Sequence, residues 1–104
     1  MVKFEEREKG FEAKFLHDQN IEFKIRSKRN HLLGQWAGEI IKSENMEKYI
    51  KEVRLSALEK PGDDDIIDKI YNDFQNNSVA LEKKDIVNKI NEFDTIARSD
   101  IKKI

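Results

Sequence analysis

The chain contains no cysteine, which removes disulfides and thiolate metal sites and leaves the redox compartment unmarked. One proline and four glycines in 104 residues give few places where a helix has to stop. No apolar run approaches the roughly 18 residues that a membrane span needs. The opening residues, Met1-Val2-Lys3-Phe4-Glu5-Glu6-Arg7, lack the apolar stretch of a signal peptide. These absences lead to the expectation of an intracellular, soluble protein with no direct membrane insertion. An excess of one charge is missing too: 20 Lys and Arg face 21 Asp and Glu, for a net of −1. That balance argues against a bulk electrostatic grip on nucleic acid or anionic lipid, so no nucleic-acid partner is expected.

What remains is polar and periodic. Hydrophobic residues make up 38% and charged residues 39%, an unusually polar mixture for a folded domain. The near-cancelling charges and the regular spacing of the apolar positions set the chain apart from disordered sequences. Its length suits one domain with little apolar surface to spare. The helical period dominates, without strand alternation or internal repeat.

Four amphipathic segments follow one another. From about Asn20 to Lys42, Ile21, Ile25, Leu32, Trp36 and Ile40 fall on one face, widened by Leu33, Ala37 and Ile41. Trp36 is the expected largest core residue. Gly34 and Gly38, four apart within this helix, suggest close approach of a neighbouring helix. Ser43 or Asn45 can cap a second helix with a face of Met46, Ile50, Val53 and Ala57, flanked by Tyr49 and Leu58. Lys60-Pro61-Gly62 should end it. Asp63 is placed to cap a third helix, with Asp64 and Asp65 in its positive first turn and Ile66, Ile67, Ile70, Tyr71 and Phe74 as its apolar set. After the polar break from Gln75 to Ser78, a fourth helix from about Glu82 carries Ile86, Ile90, Phe93, Ala97, Ile101 and Ile104 in bundle spacing. The expected fold class is all-α, an antiparallel four-helix bundle, with a looser three-helix core and a mobile fourth element as the alternative.

The first eighteen residues do not fit that bundle. Phe4, Phe11 and Phe15 share a narrow arc at about 100° per residue, while Lys3, Glu5, Glu6, Arg7, Glu8, Lys9, Glu12, Lys14 and Asp18 fill the remainder with charge. A thin aromatic stripe of this kind suits a groove on another protein. Gly10 costs such a helix about 1 kcal/mol relative to Ala, so the segment alone should fray. Periodicity by itself leaves a second option open, in which the three rings extend the first helix and pack on the bundle.

Sites for chemistry are scarce. His17 and His31 have no metal-ligand spacing. Asp63-Asp64-Asp65 lacks the spaced ligands, glycine and closing glutamate of a calcium loop, and helix capping accounts for it. There is no Gly-rich phosphate loop. Ser27, Ser43, Ser56, Ser78, Thr95 and Ser99 have no activating context, and no carboxylate pair stands in a setting that would raise a pKa. No enzyme and no cofactor are expected. Lys24, Arg26, Lys28 and Arg29, followed by His31, form a basic run. Its ordinary fate is a solvated helix face, and its functional alternative is a contact to phosphate, nucleotide or an acidic partner.

At these residues the chain resembles a known family. The run Phe4-x-x-Arg7-Glu8-x-Gly10-Phe11-Glu12-x-Lys14-Phe15-x-x-Asp18 continues through Phe23-Lys24 into Arg29-Asn30-x-Leu32-Leu33-Gly34-x-Trp36-Ala37. It is similar to the ATPase inhibitor zeta subunit of alphaproteobacterial F-type ATP synthases. The likeness is dense over residues 4–37 and continues more weakly through Tyr49-x-Lys51-Glu52-Val53, Gly62 with its acids, and Asp73-Phe74. Lys28 and His31 stand where the family more often has Arg and Lys.

The resemblance implies a helical bundle over residues 19–104 and a mobile or extended inhibitory arm over residues 1–18. The arm would enter a catalytic alpha/beta interface near the gamma stalk and block rotation in the hydrolytic direction. Its implied contact residues are Phe4, Arg7, Glu8, Phe11, Glu12, Lys14, Phe15 and Asp18, and its partners the alpha, beta and gamma subunits of the catalytic head. The implied location is cytoplasmic, peripheral to the inner membrane through the synthase. Two alternatives accompany it: a synthase-associated bundle with weak or lost inhibition, and a small nucleotide- or RNA-binding module in which Lys24, Arg26, Lys28 and Arg29 would take ATP or ADP weakly.

Overall fold

The computed structural model describes residues 2–58, 60 and 62–102, with side chains for 19–58, 60 and 62–101. The described residues form four helices and no strands: α1 (Val2–Ile40), α2 (Met46–Ser56), α3 (Asp64–Asn76) and α4 (Lys83–Lys102). The molecule measures 66 × 27 × 25 Å. Its long dimension reflects α1, whose 39 residues span about 58 Å at 1.5 Å per residue.

The helices run up, down, up, down around a square. α1 neighbours α2 and α4, and α3 closes the square between them, diagonally across from α1. Cross-contacts fix the directions. Arg54 on α2 donates to the Ser27 hydroxyl of α1, while Gly34 and Gly38 lie against Ile50 and Met46 further back along α2. On the other side, Arg98 near the end of α4 meets Glu22, and Lys89 near its start lies over the Trp36 ring.

Leu33, Ala37, Val53, Ile66, Ile70, Phe74 and Ile86 are fully buried at the centre, with Tyr49 and Ile90 beside them. The apolar sets read for α3 and α4 hold, with Ile104 outside the described residues. On α1 the buried arc is rotated from the expected one. Ile25, Leu33 and Ala37 lie at its centre, whereas Ile21, Leu32, Trp36 and Ile40 are only partly buried. The rotation follows from partners on two flanks, since α2 and α4 between them cover the arc that each touches. Trp36 is therefore not the largest core residue. Phe74 is, and Trp36 meets it edge-on at 5.6 Å between ring centroids. On α2, Tyr49 is central and not flanking.

The helix ends are set by local hydrogen bonds. Asn45 caps α2 by accepting from the Lys48 amide at 3.1 Å. Asp85 accepts from the Glu82 amide at 2.8 Å, one half of a capping box. α2 stops at Ser56, before the Lys60-Pro61-Gly62 terminator. Gly62 supplies a left-handed turn, φ +91°, ahead of α3. α1 ends at Ile40 and α3 at Asn76 in Schellman turns. Ser43 and Lys42 donate to the carbonyls of Gly38 and Glu39, and Val79 and Ser78 to those of Phe74 and Gln75.

Candidate functional site

The proposed arm occupies the first part of α1, which runs without a break from Val2 into the bundle. Phe4, Arg7, Glu8, Phe11, Glu12, Lys14, Phe15 and Asp18 lie outside the residues whose side chains are described, as does His17. Among the described residues, the bundle's polar grip on α1 reaches back to Glu22. Its carboxylate accepts two hydrogen bonds from Arg98, at 2.7 and 3.2 Å.

The basic run is distributed around α1. Lys28 forms an ion pair with Asp100 of α4 at 2.8 Å. Arg29 points inward and is buried. Its Nη2 donates to Asp63 Oδ1 at 2.8 Å and its Nε to Asn30 Oδ1 at 3.1 Å. Lys24 is exposed, and Arg26 stands on the α2 side. Only Arg26 and Arg29 share a hollow, beside Lys60 at the α2–α3 turn. Asp63 takes the N-cap position of α3, but its carboxylate makes no capping bond because it is turned to Arg29. Side-chain capping therefore accounts for none of the three: Asp64 and Asp65 sit in the first turn, where the positive end of α3 favours acids, while Asp63 serves as a tether.

A feature that the sequence did not reveal lies between α1 and α2. A cavity of about 630 Å³ opens there. Phe23, Leu55 and Leu58, exposed by 63%, 52% and 73%, stand on its sides. Arg26, Lys51, Arg54 and His31 also line it, with Glu47 as the one acid. The signal was present as apolar residues off the buried arcs of two helices, but only the fold brings them together.

A partly buried polar cluster sits across α2 and α3. The Tyr49 hydroxyl donates to Asp73 Oδ2 at 2.8 Å. Lys69 lies 2.9 Å from Asp73 and 3.3 Å from Glu52. Burial, then the hydrogen bond to Asp73 and the charges of Asp73 and Glu52, push the Tyr49 phenol well above its usual range. Burial alone would lower Lys69, but its two carboxylate partners outweigh it and raise the ammonium above its usual value. Among the described residues no three His, Asp or Glu side chains are grouped to hold a metal ion, and no helix is long and apolar enough to cross a membrane.

Over residues 1–100 the chain matches the family described as ATPase inhibitor subunit zeta. The chain belongs to that family. The match takes in residues 1–18 as well as the bundle. No curated protein matches the chain.

Proposed function

We propose that this zeta-family chain inhibits the hydrolytic direction of an F-type ATP synthase by inserting residues 1–18 into a catalytic alpha/beta interface, toward the gamma stalk. The observation that carries the reading is the continuity of α1. One helix leads from Val2 into a bundle that holds it from about Glu22 onward, so the residues ahead of that hold are a helical extension of it. By helical spacing the Phe4, Phe11 and Phe15 arc lies roughly in line with Arg29 and Leu33 of the buried face. It therefore continues the apolar line of the core toward the start of the chain.

Inhibition of this kind is mechanical. Each phenyl ring buried in the cleft contributes roughly 1.5–3 kcal/mol, offset in part by the cost of ordering the segment. Arg7, Glu8, Glu12, Lys14 and Asp18 would pair with charges along the cleft and set the register. The bundle is 27 × 25 Å across, against the about 10–12 Å diameter of a single helix. A cleft that admits the arm therefore stops at the bundle, which anchors it outside. On this reading the chain sits at the inner membrane through the synthase alone, and its partners are the alpha, beta and gamma subunits.

The test is the ATP hydrolysis rate of the purified catalytic head with the full chain, with residues 1–18 deleted, and with Phe4, Phe11 and Phe15 all changed to Ser. Both altered chains should fail to inhibit while the thermal unfolding of the bundle stays nearly unchanged. Inhibition that survives the deletion would overturn the assignment of the arm.

A further inference from the structure

The groove between α1 and α2 is separate from the arm, and its chemistry points to a second docking surface. Phe23, Leu55 and Leu58 present a row of exposed apolar side chains on its two walls. Among the described residues Arg26, Lys51 and Arg54 form no ion pair, although cations elsewhere on the bundle, such as Lys28, Lys69 and Arg98, do. Arg54 is steadied by its hydrogen bond to Ser27 at 2.9 Å. Lys60 extends the basic margin into the adjoining hollow. A chain of net charge −1 thus sets three cations against one acid, Glu47, around one apolar trough.

We propose that this groove binds an acidic amphipathic helix of a partner protein. Its apolar side would lie on Phe23, Leu55 and Leu58, and its carboxylates would pair with Arg26, Lys51 and Arg54. Two observations favour a helix over a compact phosphate ligand. The cations are spread along the rim on two helices, which matches carboxylates distributed along a helix rather than one clustered anion. The helix N-termini beside the groove, which could supply free amides to a phosphate, already carry acids: Glu47 in the first turn of α2, and Asp64 and Asp65 in that of α3.

The experiment uses the full chain, isotope-labelled, titrated in separate NMR series with two synthetic amphipathic helices and with ATP. One peptide has Leu at i, i+3, i+4 and i+7 with Glu elsewhere, and the other replaces each Glu by Lys. The Glu peptide should shift the amides of Phe23, Arg26, Arg54, Leu55 and Leu58, and the Lys peptide should bind at least about tenfold more weakly. Leu58→Ser, at a side chain too exposed for the fold to depend on it, and Arg26→Glu should each weaken the Glu peptide by about tenfold with little change in Tm. Equal binding of the two peptides, shifts centred away from the groove, or indifference to both variants would overturn the proposal. It would also fall if ATP perturbed the same amides at lower concentration, or if the chain alone self-associated through them. None of these outcomes depends on inhibition by the arm, so the two readings fail separately.

Discussion

Arg29 and Asp63 are held 2.8 Å apart, the guanidinium buried on α1 and the carboxylate at the N-cap of α3. The pair ties helices that stand diagonally across the bundle. It explains why a residue placed to cap α3 makes no side-chain cap. Removing the carboxylate leaves a buried charge with its strongest partner gone, and a charged hydrogen bond of this kind contributes about 1.5–3 kcal/mol. Asp63→Ser keeps a good capping residue yet should still lower stability by about that amount. Urea unfolding midpoints of the wild type and the variant measure it. If the serine variant proved as stable as the wild type, capping, and not the tether, would be what Asp63 contributes.

Gly34 and Gly38 let α2 lie close to α1, but against different kinds of neighbour. A Cβ on Gly34 would stand 3.1 Å from the Ile50 Cα, which is backbone. A Cβ on Gly38 would meet Met46 Sδ at 2.8 Å and Cε at 3.0 Å, the far end of a flexible side chain, with Tyr49 Cδ2 at 3.1 Å. Overpacking costs about 1–3 kcal/mol, against about 1 kcal/mol returned by the better helix propensity of Ala. Gly34→Ala should be the more destabilising of the two. Adding Met46→Ala should relieve much of the Gly38→Ala penalty, whereas Ile50→Ala should relieve little of the Gly34→Ala penalty. Double-mutant cycles from denaturant unfolding give both coupling energies.

The legible parts of this chain were those with one-sided periodicity. Ile66, Ile70 and Phe74, and Ile86, Ile90 and Ala97, lie where their spacing places them, because α3 and α4 each bury a single stripe. The rotation of α1 was not legible. It depends on two flanking helices, and that choice moves Trp36 to the margin and Leu33 to the centre. The pairing of Arg29 with Asp63, thirty-four residues apart, needed the tertiary fold for the same reason. Phe23, Leu55 and Leu58 each look like an ordinary stray apolar residue in sequence, and only their convergence makes a groove. The arm stood out by failing to fit the bundle, and its proposed role came from resemblance.

Two helix ends use a residue that the turn does not favour. Lys42 and Ser78 occupy the left-handed region at φ 55° and 57°, where glycine is the usual choice. Such a conformation costs a residue with a Cβ about 1–2 kcal/mol, part of which the extra backbone entropy of glycine takes back. Lys42→Gly and Ser78→Gly should each stabilise the bundle by about 0.5–1 kcal/mol. Gly62→Ala, at φ +91° with open space around it, should destabilise by about 1 kcal/mol through backbone strain alone. Thermal unfolding of the three variants tests the sign of each.

The buried Tyr49 hydroxyl makes stability sensitive to alkaline pH. Burial, then its hydrogen bond to Asp73, holds the phenol protonated in the folded state well above the ordinary value of 10.0. Lys69, raised by Asp73 and Glu52 against the effect of its burial, acts in the same direction. For both groups the folded state binds protons more tightly than the unfolded one. Their contribution is fully present below the unfolded values and is lost as pH rises past them. The urea midpoint should therefore be steady up to about pH 8 and fall progressively above about pH 10. Tyr49→Phe should lose about 0.5–1.5 kcal/mol at neutral pH through the missing hydrogen bond, yet show a shallower alkaline fall, since only the Lys69 contribution remains. A variant whose alkaline slope matches the wild type would show that Tyr49 does not titrate with unfolding, and that the pH dependence arises elsewhere in the bundle.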